Sequence, residues 1–203
     1  MDRKEKAAVI CILIGIVCLM IPFYYHFKGV KDTNKLMEDF TKQAEEKQDE
    51  ETAGEEEEQT SISEEDAAIF SEGDVIAILE IASLGIRYPV VEGTTADNLN
   101  KAIGHLPETA GIGATGNCVL AGHNGSRHGT FFTHLNEISK GDLVTLLYAD
   151  GEVLNYEVTN FYVVGPYDNS IKDQGEETEL TLFTCAQKGS MRFVVKCIRK
   201  EDA

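Results

Sequence analysis

The sequence predicts an all-β domain, either a sandwich or a barrel, that follows an N-terminal membrane anchor. Residues 73–203 contain short apolar runs that alternate with glycine-rich turns, and seven or eight such runs in about 130 residues are typical of these two architectures. Residues 7–23 form an unbroken apolar run, which predicts a membrane helix. An acidic segment between them separates the anchor from the folded domain.

The apolar run Ala7–Phe23 has the dimensions of a membrane span. Its 17 residues give a helix of roughly 26 Å, close to a hydrocarbon core of about 30 Å. Tyr24 and Tyr25 follow at the level of an aromatic belt. A cleaved signal peptide and a buried core helix are alternatives, but the run ends in bulky residues rather than at a small-residue cleavage site. We therefore predict an uncleaved signal anchor at residues 7–25. Three Lys or Arg residues on each side leave its orientation open, and the short tail at residues 1–6 favours a cytoplasmic N-terminus.

Residues 26–72 have the composition of a flexible, acidic stalk. Residues 36–66 hold 14 acidic and 2 basic side chains, and apolar side chains are sparse. Burial of so little apolar surface cannot offset the chain entropy lost on folding. Helical spacing at the start of this segment would allow the membrane helix to continue into it. The whole chain carries a net charge of −17, which argues against a nucleic-acid-binding protein because phosphate recognition needs clustered lysine and arginine.

The folded domain has recognisable turns and two short predicted helices. Asp150-Gly151 between two strand-like runs predicts a β-hairpin. One helix is expected over Ala96–Ile103 with Thr95 as its N-cap, and another over Phe131–Ile138 with Thr130 as its N-cap. The strand-like runs are Val75–Ile81, Ile86–Val91, Cys118–Gly122, Leu143–Tyr148, Val153–Val164, Leu180–Cys185 and Arg192–Ile198.

The last two strand-like runs place a cysteine opposite an arginine. A hairpin turn centred on Lys188-Gly189 pairs Cys185 with Arg192, with Cβ atoms about 4.5–5.5 Å apart. A nearby cation favours the thiolate, which is the nucleophilic form of cysteine, and an arginine could also donate hydrogen bonds to an oxyanion. On its own, a strand cysteine is more often a small buried hydrophobe. The cysteines for which we expect only a packing role are Cys11, Cys18, Cys118 and Cys197.

Histidine is the residue type most suited to supply the acid or base that a catalytic thiol needs. His123 has the best placement, because it ends an apolar strand at a glycine-rich loop, where catalytic side chains are often found. A hydrogen-bonded imidazole with only a structural role is the alternative for His123. The other candidates are His105 in a turn, His128 in the loop and His134 on a predicted helix.

Three motifs, in this order along the chain, resemble those of the sortases, which are membrane-anchored cysteine transpeptidases found mainly in Gram-positive bacteria. The motifs are Leu120-Ala121-Gly122-His123, Thr181-Leu182-Phe183-Thr184-Cys185 and Arg192, with Gly104-His105-Leu106-Pro107 and Gly116-Asn117 as further points of similarity. The resemblance covers about residues 73–199. It implies a closed β-barrel of about eight strands with short helices. It also implies an outward-facing catalytic domain at residues 73–203 and an N-terminus in the cytoplasm.

The resemblance also implies the roles of four residues. Cys185 would attack the threonine carbonyl of an LPxTG-like sorting signal and form a thioacyl intermediate. His123 would protonate the leaving amine and later deprotonate the incoming one. Arg192 would hold the substrate and stabilise the oxyanion, with Thr184 lining the oxyanion site. The implied partners are secreted proteins that carry C-terminal LPxTG-like signals, and an amine of a peptidoglycan precursor or of a pilin as acceptor.

Two other functions are compatible with the same residues. A hydrolytic cysteine peptidase would use water as the acceptor, and a non-enzymatic surface module would use the barrel only for binding. No cofactor or metal is expected: Glu176, Glu177 and Glu179 could bind Ca²⁺ through oxygen ligands, but a solvated acidic loop is the favoured interpretation. Leu106–Ala110 is itself similar to a sorting signal, yet Pro107 in the middle of the domain favours a turn.

Overall fold

The computed structural model describes residues 3–51, 70–125 and 130–200. In these residues one long helix precedes a set of strands. The elements are α1 (Arg3–Glu51), β1 (Val75–Ile81), β2 (Ile86–Glu92), α2 (Ala96–Leu99), β3 (Ile103–His105), β4 (Gly116–Ala121), β5 (Leu143–Leu147), β6 (Val153–Val164), β7 (Thr178–Ala186) and β8 (Met191–Lys200). Short 3₁₀ turns occupy four of the connections within this part of the chain.

The eight strands form a closed barrel in the order β1-β2-β3-β4-β7-β8-β6-β5, and β5 completes the circle by pairing with β1. Two of the pairs, β2–β3 and β4–β7, are parallel, whereas the remaining pairs are antiparallel. The closed barrel that the resemblance implies is therefore confirmed, and the sandwich is excluded. The parallel β4–β7 pair joins two strands that are far apart in the sequence.

Side chains from alternate strand positions fill the barrel interior. In β6, Leu154, Tyr156 and Val158 point inward and are buried, while the residues between them are partly exposed. Strand β4 is buried along its whole length because the segment that contains Leu106 also covers part of its outer face. This outer cover lies against Val119 and Ala121 and belongs to a small cluster separate from the barrel core.

The hairpin predicted at Asp150-Gly151 is confirmed. Leu147 of β5 pairs with Val153 of β6, and Gly151 adopts a left-handed φ of +89° in the connection. A glycine reaches that φ without the steric cost that a Cβ atom would add. The connection is closed by a hydrogen bond of 2.9 Å from Tyr148 N to Glu152 O.

The first predicted helix is shorter than the sequence pattern indicates. Helix α2 covers Ala96–Leu99, and Thr95 caps it as predicted, since its hydroxyl accepts a hydrogen bond of 3.4 Å from Asn98 N. The prediction that the helix reaches residue 103 is wrong, because Ile103–His105 forms β3 between β2 and β4. Three residues are too few to show a strand period in a sequence, which explains the error.

The second predicted helix is also wrong. Only Leu135–Glu137 is helical in Phe131–Ile138, and it forms a single 3₁₀ turn. Phe131 has a φ of +31°, and Phe132 N donates to His123 O over 3.0 Å instead of forming a helical bond. The apolar residues of this segment are buried, so burial of its aromatic rings outweighs its local helical spacing.

Helix α1 extends beyond the apolar run and lies against the barrel. A stretch of the helix over Ile10–Lys42 is long and apolar enough to cross a membrane. Further along, Thr33 is buried and its hydroxyl donates to Lys101 O over 2.7 Å, while Phe40 is 2% exposed. The predicted stalk therefore starts as helix, and its residues 52–69 lie outside the described residues. The domain limits at 25 and 72 stay a prediction.

Candidate active site

Cys185 and Arg192 face each other across the hairpin formed by β7 and β8. The pairing Cys185↔Arg192 is present, as the turn centred on Lys188-Gly189 predicts. Because side chains alternate along a strand, Thr184 is buried and Cys185 is exposed on the outer face of the barrel. The Arg192 guanidinium donates to Gly189 O and Met191 O, both at 3.0 Å, so the turn holds it at the strand end.

His123 follows β4, on the other side of β7 from Arg192. Ala121 of β4 pairs with Phe183 of β7, and Gly122 N continues the ladder by donating to Phe183 O over 3.2 Å. His123 lies two residues after Ala121, and Cys185 lies two residues after Phe183. The ring of Phe131 packs edge-on against the His123 imidazole, with a distance of 6.3 Å between the ring centroids. The barrel thus brings His123, Cys185 and Arg192 to the same end of three neighbouring strands.

Gly122 is required by the close packing before His123. A Cβ atom at Gly122 would lie 2.5 Å from Cδ2 of Phe132, well inside van der Waals contact. The segment that bears Phe132 can therefore lie directly on the strand end and bond to His123 O. The Ala-Gly-His motif therefore needs its glycine for a steric reason, because only a residue without a side chain leaves room for the Phe132 ring.

Side-chain hydrogen bonds connect the strand ends that bear the histidine and the cysteine. The Thr184 hydroxyl donates to Gly122 O over 2.7 Å, and the Asn124 amide donates to Cys185 O over 2.7 Å. Thr184 is 2% exposed, and its bond to Gly122 O is buried. Asn124 is a site residue that the sequence-based predictions do not contain. Its position directly after the candidate histidine was the available signal.

Of the three barrel cysteines, Cys185 is the one that a substrate can reach. Cys118 and Cys197 are 1% and 2% exposed. Burial raises the pKa of the Cys118 thiol above its ordinary value and raises the pKa of Cys197 to about 12. Both thiols are therefore protonated and shielded at neutral pH, which agrees with the packing role predicted for them.

The other candidate histidines lie elsewhere. His105 is buried in β3, where Nδ1 lies 2.8 Å from a carboxylate oxygen of Glu92 and Nε2 lies 3.0 Å from Ala110 O. His134 is on the surface, 2.9 Å from Glu137. His128 lies outside the described residues. Among the residues that the structure describes, His123 is the histidine at the end of β4 next to Cys185.

The segment between β6 and β7 is tied to the start of β4 by a buried amide. The side chain of Asn117 donates to Ile171 O at 2.9 Å and to Asp173 O at 3.1 Å, and it accepts from the Thr181 hydroxyl at 2.6 Å. Gln174 adds a bond of 2.9 Å from Asn117 N to its own side-chain oxygen. The segment therefore has a defined position beside the start of β4, and the sequence-based predictions contain no such role for Asn117.

The stretch Leu106–Ala110 is a turn, as Pro107 predicts. Its Leu106 is buried, and the Thr109 hydroxyl bonds to Leu106 O over 2.8 Å. Glu108 forms an ion pair of 2.6 Å with Lys172, which connects this turn to the segment between β6 and β7. A sorting signal would have to be extended, with its leucine accessible, whereas this stretch is a turn with Leu106 buried.

The acidic residues next to β7 do not form a metal cluster in the described part of the chain. Residues 3–51, 70–125 and 130–200 contain no group of three histidine, cysteine, aspartate or glutamate side chains that could hold an ion. Glu179 instead pairs with Lys196 over 3.0 Å.

Comparison with known proteins identifies the family. The profile of the sortase domain matches residues 79–200. The chain belongs to the sortase family. It is 34% identical to sortase D of Bacillus subtilis (strain 168) over 180 residues, which cover 87% of this chain and 88% of the relative. It is 28% identical to sortase A of Bacillus anthracis over 201 residues, covering 96% of this sortase and 95% of the relative.

Solved structures agree with this assignment. A sortase D5 transpeptidase of Clostridium perfringens superimposes with a TM-score of 0.63 at 26% identity, covering 84% of this sortase and 97% of that chain. A lid mutant of sortase A from Corynebacterium diphtheriae gives a TM-score of 0.62 at 30% identity, covering 66% and 74%. Sortases are transpeptidases that anchor surface proteins, and the apolar N-terminal helix is consistent with a membrane-anchored member of the family.

Proposed function

We propose that this sortase cleaves an LPxTG-like sorting signal through a thioacyl intermediate on Cys185 and transfers the protein to an amine. The acceptor is the amino group of a peptidoglycan precursor or of a pilin. The observation that supports the proposal most is the exposed Cys185 opposite Arg192, beside the strand end that bears His123. These are a nucleophile, a cation and an acid–base group on one surface.

In the first half-reaction the Cys185 thiolate attacks the carbonyl carbon of the threonine residue before the scissile bond. A carbon–sulfur bond forms, and the carbonyl electrons move to oxygen, where guanidinium donors of Arg192 stabilise the negative charge. The carbon–nitrogen bond then breaks. The His123 imidazolium gives its proton to the departing amine, which leaves as the new N-terminus of the released fragment.

In the second half-reaction the acceptor amine attacks the thioacyl carbon. Neutral His123 removes a proton from this amine, a new carbon–nitrogen bond forms, and the carbon–sulfur bond breaks to return the Cys185 thiolate. The Thr184 hydroxyl and the Asn124 amide both bond to the protein backbone, and this scheme needs no contact between them and the reacting atoms. The place of Thr184 beside the oxyanion site stays a prediction. The acceptor amines lie at the cell wall, so the scheme requires the barrel outside the membrane and the N-terminus in the cytoplasm.

The test is product analysis by mass spectrometry with the full-length protein in detergent micelles. A library of Leu-Pro-x-Thr-Gly peptides would be incubated with triglycine or diaminopimelate as the amine. We expect a peptide joined to the amine at threonine, and no product from Cys185→Ala. The matched control is Cys197→Ala, which should keep turnover and lose about 1–3 kcal/mol of stability because it truncates a core side chain.

The same experiment separates the alternative functions. Release of the free threonine acid at every amine concentration would identify a hydrolase on the same residues and would contradict amine transfer. Full activity in Cys185→Ala would refute the thioacyl mechanism altogether. Binding of peptides without any cleavage by the unaltered protein would indicate a binding module instead.

A further inference from the structure

The backbone ladder between β4 and β7 gives way to side-chain hydrogen bonds as the two strands approach the active site. A backbone bond of this parallel pair runs from Gly122 N to Phe183 O. In a parallel ladder that continued, Gly122 O and Cys185 O would be the next two acceptors, because bonding residues alternate along each strand. Both oxygens accept from side chains: Gly122 O from the Thr184 hydroxyl and Cys185 O from the Asn124 amide, each at 2.7 Å.

We propose that these two side chains, which we name the Asn124–Thr184 clasp, fix the distance between the His123 imidazole and the Cys185 thiol. Asn124 directly follows His123, and Thr184 directly precedes Cys185. Asn124 therefore ties the residue after His123 to β7, and Thr184 ties the residue before Cys185 to the end of β4. Both are positioning residues for acyl transfer, and the inference rests on the proposed function.

The clasp is needed because the backbone after Gly122 turns away from β7. His123 O accepts a bond of 3.0 Å from Phe132 N, and Gly125 N donates to the Thr133 hydroxyl over 3.0 Å. These contacts hold the histidine loop against the 132–133 segment rather than against β7. A side chain that reaches back to Cys185 O spans the gap that this turn opens.

The exposure of Asn124 allows an effect on the reaction rate to be separated from an effect on the stability of the protein. Asn124 is exposed, so water can replace its hydrogen bond to the carbonyl when the side chain is removed. Acyl transfer is far more sensitive to position, since a displacement of about 1 Å can lower the rate by about 100-fold. Loss of the Asn124 amide should therefore lower kcat out of proportion to any loss of stability.

The first test compares two matched substitutions in the full-length protein in detergent micelles. Asn124→Asp keeps the size of the side chain but replaces the donor with a carboxylate that repels Cys185 O. We expect kcat to fall by about 10- to 100-fold with KM within about twofold. The control is Asn155→Asp, which makes the same chemical change at the end of β6 far from Arg192. The side-chain hydrogen bond described for Asn155 is one that it accepts from the Thr145 hydroxyl. Asn155→Asp should leave kcat unchanged.

Thr184 supplies a rescue experiment. Thr184→Val removes the buried hydroxyl with little change of volume, and we expect kcat to fall as in Asn124→Asp. Thr184→Ser restores the donor and should return kcat to within about threefold of the unaltered enzyme. Should Thr184→Val fail to fold, Thr184→Ser and the Asn124 variants still test the clasp. Loss of activity in Thr184→Ser equal to that in Thr184→Val would count against it.

Alkylation of Cys185 by iodoacetamide gives a readout that needs no sorting peptide. Its rate would be measured against pH for the unaltered protein, for His123→Ala and for Asn124→Ala. The clasp requires His123→Ala to shift the pH profile, and Asn124→Ala to shift it in the same direction. An Asn124→Ala profile that coincides with that of the unaltered protein, or an unchanged kcat in Asn124→Asp, overturns the proposal. An unaltered protein that transfers no peptide would instead count against the proposed function, and the alkylation profiles would still decide the clasp.

Discussion

At the scale of single residues, the register of one hairpin determines what Cys185 can do. A slip of one residue between β7 and β8 would move every side chain to the opposite face, which would bury Cys185 and expose Thr184. The turn prevents this slip, because Lys188 and Gly189 adopt left-handed φ values of +59° and +93° that fix its length. The thiol and the guanidinium of Arg192 are therefore held on the outer face together.

The residue-scale prediction concerns the shape of Arg192 rather than its charge. Lysine keeps the charge but is a point donor without the planar fork of a guanidinium. In the proposed mechanism the fork holds the substrate carbonyl, so Arg192→Lys should lower kcat/KM by about 100-fold or more, similar to the loss of an oxyanion donor. The measurement is peptide turnover by the full-length enzyme across pH.

Alkylation of Cys185 is the control for the Arg192 prediction. A small neutral alkylating agent needs the thiolate but not the oxyanion site, so its reaction rate should change far less than peptide turnover. A parallel fall of both rates would show that Arg192 acts only through the thiol. The role in holding the substrate would then be dropped.

At the scale of elements, the parallel pair β2–β3 contains a buried ion pair. Glu92 and His105 are register partners, and Nδ1 of His105 lies 2.8 Å from the carboxylate. Burial by itself lowers the pKa of His105, but interactions with Cys118 and with the hydrogen-bonded Glu92 carboxylate raise it to about 10. The Glu92 carboxylate lies within hydrogen-bond distance of Nδ1 and is the partner whose substitution tests this effect.

The raised pKa of His105 predicts how the stability of the barrel depends on pH. The folded protein holds this proton more tightly than the unfolded chain, whose histidines titrate near 6.5. The stabilisation is fully present below about pH 6.5 and is lost as the pH rises towards 10. We expect the Tm to fall between pH 7 and pH 10, and Glu92→Gln to remove part of this slope.

The surface pair of His134 and Glu137 provides the matched control. It joins the same two residue types over 2.9 Å, but both side chains are more than half exposed. Glu137→Gln should therefore leave the pH dependence of the Tm as it is in the unaltered protein. An equal change of slope in Glu92→Gln and Glu137→Gln would contradict the assignment of the effect to the buried pair.

At the scale of the whole molecule, α1 is both an apolar span and a packing partner of the barrel. Its residues Val30, Thr33 and Met37 line a cleft of about 410 Å³ against the barrel residues Arg87 and Tyr88. The barrel therefore lies beside the helix shortly after the apolar run ends. The first part of the predicted stalk is therefore a helix packed on the barrel rather than a flexible chain. This packing contributes to the stability of the folded domain.

The whole-molecule prediction compares two shortened chains. Residues 73–203 should be soluble, monomeric and predominantly β by circular dichroism, because they contain all eight strands of the barrel. Residues 29–203 keep the part of α1 that contacts β1 and β2 and should have the higher Tm. A spectrum of residues 73–203 dominated by helix, or equal Tm values for the two chains, would contradict this prediction.

Much of the fold could be predicted from the sequence, because its signals are local. The bounds of Val75–Ile81 and Val153–Val164 agree with the observed strands, since each is a long apolar pattern that ends at turn residues. The apolar anchor helix and the hairpin at Asp150-Gly151 have equally local causes. Strand β3 and the non-helical 131–134 segment could not be predicted, because contacts with distant parts of the chain outweigh their own weak patterns.

The candidate site also has one part that local sequence determines and one part that depends on the tertiary structure. The sequence alone determined that Cys185 faces Arg192, because a short hairpin fixes its own register. Only the tertiary structure decided that His123 stands beside Cys185, since the β4–β7 pair joins strands whose contact depends on closure of the whole barrel. The same closure decided the bond from Asn124 to Cys185 O. A periodic pattern specifies which face of a strand is buried, but not which distant strand lies next to it.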